Sequence, residues 1–186
     1  MEAFSDGVLA IIITIMVLEM KVPHEASLAA LKPLIPVFLS YVLSFVYLAI
    51  YWNNHHHLLQ ATTRINGRVL WANLHLLFWL SLIPFTTGWM GENHFAPIPM
   101  ALYGAVLWCA GAAFFILTRL LISTHGKESP LAQALGKDRK TKLSLALYTL
   151  AVALAFKFPL VAGSIYVFVA LIWLIPDRRI ERKLLP

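Results

Sequence analysis

Met1-Glu-Ala-Phe-Ser-Asp-Gly-Val-Leu-Ala-Ile-Ile-Ile-Thr-Ile-Met-Val-Leu-Glu-Met20 opens this chain, and its reading decides the fold. From Gly7 to Leu18 no residue is charged, and Thr14 is the one polar side chain. The apolar run over 4–21 matches the ~20 helical residues that a bilayer core requires. Ser5 and Asp6 stand at its start. A carboxylate in such a segment faces protein or a water-filled path, because hydrocarbon cannot solvate it. The other reading is a helix-terminal acid that complements the macrodipole. The segment by itself leaves both open.

The rest of the chain repeats the pattern. Hydrophobic residues make up 60% and charged ones 13%, and mean hydropathy is +0.74; that leaves too little polar surface to coat a water-soluble domain. Apolar runs recur at 33–52, 69–91, 96–118, 143–158 and 159–175. The composition predicts an all-α, multi-pass membrane protein: one domain over 1–186 with six transmembrane helices, the last two joined by a tight turn at Lys157 and Pro159. The first run lacks a basic start and a small-residue cleavage site, so it reads as a span rather than a signal peptide. Pro84 interrupts the third run and predicts a kink. Gly104, Ala110, Gly111, Ala112 and Ala113 give the fourth a surface for close helix packing. Cys109 is the only cysteine, so no disulfide can form within the chain.

A net charge of +6 reports orientation here rather than a nucleic-acid partner. With a cytoplasmic N-terminus, Arg64, Arg68, Arg119, Lys127, Lys137, Arg139, Lys140, Lys142, Arg178, Arg179, Arg182 and Lys183 fall inside, and only Lys21, Lys32 and Lys157 outside. This asymmetry predicts both termini in the cytoplasm. Leu131–Leu135 reads as a turn lying on the membrane, and the basic run Lys137–Lys142 as topogenic charge at its inner surface.

That topology brings three polar clusters to one depth: Ser5 and Asp6; Trp52, Asn53, Asn54, His55, His56 and His57; and Asn73 with His75. A carboxylate among indole, imidazole and amide groups makes a satisfiable hydrogen-bond network, and a structural role is the primary reading. The alternative from another class is a proton-coupled secondary transporter with Asp6 and the His cluster as relay, although no internal repeat or broken midplane helix is evident. Consecutive histidines point 100° apart and cannot share one ion, so no metal and no cofactor is expected. Nothing resembles a nucleophile elbow or a phosphate loop, so no enzyme is expected.

At 100° per residue Phe4, Gly7, Ile11, Thr14, Ile15 and Leu18 share a face, and Asp6 lies about 140° from Ile11. Periodicity does not decide whether that face meets lipid, protein or a pore.

Phe4-Ser5-Asp6-Gly7-Val8 with Ala10-Ile11 and Thr14, then Tyr51-Trp52-Asn53-Asn54-His55-His56, then Ser81-Leu82-Ile83-Pro84-Phe85 resemble the transmembrane protein 175 family, the lysosomal potassium channel family with bacterial and archaeal members. The resemblance covers the first three helices, and the other three match in hydropathy and number. It implies a homotetramer with the first helix of each subunit around a central pore. It also implies a single-repeat, prokaryotic subunit in the cytoplasmic membrane that conducts potassium passively. By position, the family's hydrophobic constriction falls on Ile11, and its further pore-facing layers on Thr14, Ile15 and Leu18. The family's arginine upstream of the motif has no counterpart in Met1–Ala3.

Overall fold

The computed structural model describes residues 1–126, 132 and 139–174. The Leu131–Leu135 turn, the Lys137–Asp138 part of the basic run, Lys127 and Arg178–Lys183 thus lie outside the described residues, apart from Ala132. All secondary structure among the described residues is helical.

Helix α1 covers Glu2–Met16 and tightens into a 3-10 turn over Val17–Glu19. Fifteen residues at 1.5 Å and three at about 2 Å reach roughly 28 Å, close to the ~30 Å hydrocarbon thickness. A 3-10 segment, Leu28–Leu34, is capped by Ser27, whose hydroxyl accepts from the Ala30 amide. It leads into α2, Ile35–Gln60, with Pro36 in the first turn, where a missing N–H costs nothing. This helix runs on through the polar Asn53–His57 segment, two turns past the apolar stretch.

The third rod is broken. Helix α3 spans Gly67–Ser81 and α4 spans Ile83–Glu92. Pro84 has no N–H to give, and its ring would meet the carbonyl one turn back. The chain turns at Leu82, whose amide bonds Trp79 O at 3.2 Å, and Ser81 Oγ donates to Phe78 O at 2.7 Å. Pro84 itself is buried. Helix α5 spans Pro97–His125, α6 Arg139–Ala155 and α7 Pro159–Leu174. The turn between α6 and α7 closes with the Lys157 and Phe158 amides on Leu154 O. Leu28–Gln60, Gly67–Glu92 and Pro97–His125 are long and apolar enough to cross a membrane, and Pro159–Leu174 is apolar but shorter. The described residues form six helical rods, and the chain is a helical membrane protein.

Helix α5 is central, packed between α3 and α6, while α2 lies on α4, and α1 rests on α2, α3 and α4. Ala110 and Ala113 are wholly buried at these crossings. Buried polar groups pin the layers together. Tyr47 Oη donates to Tyr166 O at 2.6 Å and Tyr166 Oη to Met100 O at 3.0 Å. Ser44 Oγ meets Thr87 Oγ1 at 2.6 Å and Tyr103 Oη at 3.0 Å. In hydrocarbon each such group needs a partner, and these fix the rotation of α2, α4, α5 and α7 against one another.

Candidate functional site

Helix α1 divides into two faces. Ser5, Leu9, Ile12 and Met16 are buried against the bundle, following the helical repeat. The opposite face carries Phe4, Gly7, Ile11, Thr14, Ile15 and Leu18, all exposed on the single subunit. Ile11 is 59% and Leu18 77% exposed. Thr14 Oγ1 donates its one proton toward Ala10 O and Ile11 O, both at 3.0 Å. The hydrogen is thereby spent on the helix, and the oxygen lone pairs are what the hydroxyl offers outward.

The polar groups at the start of α1 sort into two sets. The inner set is buried: Asn73 Nδ2 donates to Ser5 Oγ at 2.9 Å, and His55 Nε2 lies 2.7 Å from Asn73 Oδ1. The amide oxygen can only accept, so this His55 tautomer carries its proton on Nε2. Ser5 Oγ passes its own proton to Met1 O at 3.1 Å. Helices α1, α2 and α3 are thus joined by one chain of hydrogen bonds.

The outer set is half exposed. Trp52 Nε1 donates to Asp6 Oδ1 at 3.0 Å, and the Trp52 indole stacks on His56 with centroids 5.7 Å apart. His56 Nδ1 lies 3.0 Å from Glu2 Oε1, and His56 Nε2 meets Gln60 Nε2 at 2.9 Å. Glu2, Asp6 and His56 bring three ligand atoms within 4.8 Å of one another.

Of the residues that topology places at one depth, Ser5, Asn73 and His55 meet in one set and Asp6, Trp52 and His56 in the other. Asn53, Asn54 and His75 join neither, Asn54 Nδ2 donating to Ile50 O of its own helix at 2.8 Å, and His57 only packs its ring edge-on against His56. Asn53 is exposed, one position and so 100° round α2 from Trp52. His75 is two positions from Asn73, on the far side of α3, where it accepts from Trp79 Nε1 at 2.9 Å. Shared depth does not give shared azimuth. Glu2 is the participant that sequence reasoning missed, and its signal was the i, i+4 spacing from Asp6.

Burial ranks the two sets energetically. Asn73→Leu strips the partner from buried His55 Nε2 and removes the donor to Ser5, a loss of about 1–3 kcal/mol. Asp6→Ala leaves an indole N–H that is partly exposed and regains water, so it costs less. Thermal melts of the two variants in detergent should place Asn73→Leu clearly below Asp6→Ala; the reverse order would move the anchoring role to the outer set.

Residues 1–84 match the model of the family described as endosomal/lysosomal potassium channel TMEM175. A potassium channel of Chryseobacterium sp. is 54% identical over 184 residues, covering 99% of this chain and 96% of that protein. A potassium channel of Streptomyces collinus is 32% identical over 167 residues, covering 83% and 81%. The crystal structure of a lysosomal potassium-selective channel TMEM175 homologue from Chamaesiphon minutus matches with a TM-score of 0.80 and 26% identity over 95% of both chains. The chain therefore belongs to the TMEM175 family.

Proposed function

We propose that this protein is the subunit of a homotetrameric, potassium-permeable channel in the cytoplasmic membrane of a prokaryote, with both termini on the cytoplasmic side. The observation that carries the reading is the unpartnered face of α1. Three other helices hold this helix in place, and its free face is a ladder of apolar side chains with one hydroxyl between them. Four such faces around an axis make a pore with hydrophobic rings at Ile11, Ile15 and Leu18, which conduct when wetted and close by dewetting. Potassium is the permeant ion, and conduction requires no cofactor and no catalytic residue. The potassium-channel names of the relatives above support the same reading.

Thr14 would then supply the only side-chain oxygens between apolar layers, about 4.5 Å along the axis from Ile11. Its proton is engaged by the backbone, so a ring of four presents acceptors to a cation. Asp6 is bonded to an indole and not, among the described residues, to a histidine, which favours a positioning role over a proton relay. The test is a bilayer recording under bi-ionic conditions. Wild-type protein should carry fast currents whose reversal potential is displaced in the direction that potassium preference sets, and Thr14→Val should shift the reversal toward sodium while the oligomer stays intact. Slow, saturable, proton-coupled exchange would instead assign the chain to the transporters, and an unchanged ratio in Thr14→Val would assign Thr14 to its own helix.

A further inference from the structure

Two i, i+4 pairs face each other at the start of α1: Glu2 and Asp6 on α1, Trp52 and His56 on α2. We propose that Glu2, Asp6 and His56 form a binding site for a first-row divalent cation of the zinc class, tying α1 to α2 within each subunit. The site is off the Ile11 face and does not depend on how subunits assemble.

Three observations converge. Each residue offers one ligand atom, and the three atoms lie within 4.8 Å of one another. His56 Nδ1 is buried and makes no aligned hydrogen bond, although Glu2 Oε1 is only 3.0 Å away. At the tetrahedral angle zinc prefers, two ligands each ~2.1 Å from a common ion stand about 3.4 Å apart, so the pair need open by only a few tenths of an ångström to take an ion between them. In that arrangement the nitrogen lone pair points at the ion and obliquely past the oxygen. A pair poorly aligned for hydrogen bonding is well placed to share a cation.

The surroundings supply what a ligand set needs behind it. Trp52 Nε1 holds Asp6 Oδ1 at 3.0 Å, leaving Oδ2 free, and the indole face fixes the imidazole plane. A ring bound through Nδ1 carries its proton on Nε2. Gln60, 2.9 Å from Nε2, then accepts that proton with its carbonyl after a half-turn of the amide. Such partners orient metal ligands and raise their affinity. One imidazole and two carboxylates suit zinc, cobalt or manganese rather than an alkali ion, and three protein ligands leave a position for water.

Isothermal titration of tag-free, detergent-solubilised protein with zinc chloride tests the site. Wild type should take up one ion per subunit with micromolar affinity. Glu2→Gln and His56→Gln should each weaken binding by about tenfold or more, while His75→Gln, on the far side of α3 and bonded to Trp79, leaves it unchanged. Absence of binding at millimolar zinc, or an affinity indifferent to both Glu2→Gln and His56→Gln, overturns the proposal. Should either variant fail to fold, X-ray absorption of wild-type protein loaded with cobalt decides: one imidazole among oxygen ligands is expected, and two or more would place the ion on other histidines.

Discussion

Gly104→Val is expected to leave no properly folded subunit in detergent extracts. A Cβ at Gly104 would overlap the Tyr166 phenol and come within 2.9 Å of Val152 Cγ2. The phenol has nowhere to go. Tyr166 is wholly buried, its hydroxyl is committed to Met100 O, and its own carbonyl takes the Tyr47 proton. Moving the ring therefore breaks the hydroxyl tie between α7 and α5. Overpacking of this kind costs about 1–3 kcal/mol for a small intrusion, and the lost buried hydrogen bond adds about 1–3 kcal/mol more. Gly104→Ala should lower the melting temperature, and Gly104→Val should give aggregate in size-exclusion chromatography. Wild-type elution and melting for both would show that α5 does not approach α7 as closely as described.

Ile11→Asn is expected to act in the opposite sphere, raising ionic current several-fold or weakening selectivity while the protein folds normally. Ile11 buries little on its own subunit, and surface substitutions away from packing features usually stay within about 0.5 kcal/mol. In the proposed ring of four, however, a carboxamide would remove the apolar barrier to water and keep the constriction wet. Bilayer recordings of the two proteins at equal incorporation check this. Equal currents would place Ile11 against lipid.

The contrast between Gly104 and Ile11 also shows what could be read from the chain beforehand. The six rods were legible because hydrocarbon leaves a spanning segment no choice but helix, and the break before Pro84 because a proline ring excludes the preceding turn. The two faces of α1 followed from its repeat. The partners of the histidines did not. His55 and His56 are neighbours in sequence yet reach different helices, His55 to Asn73 on α3 and His56 to Glu2 on α1. A rotation of α2 by one residue would exchange them, and that rotation is set by distant contacts such as Tyr47 on Tyr166. The same reasoning explains Asn53 and His75, which have the right depth and the wrong azimuth. The contact of Gly104 with Tyr166 joins residues 62 positions apart and has no local signal beyond a glycine in a small-residue run.

The central claim is that the exposed face of α1 lines the conducting path, and a thiol placed at Ile11 tests it most directly. Cys109 is the only native cysteine, so Cys109→Ser gives a silent background. Current through bilayers carrying Ile11→Cys in that background should be blocked irreversibly by a cationic methanethiosulfonate reagent added from water, with the background protein unaffected. A current that persists unchanged after exposure of Ile11→Cys to the reagent would contradict a pore built on α1.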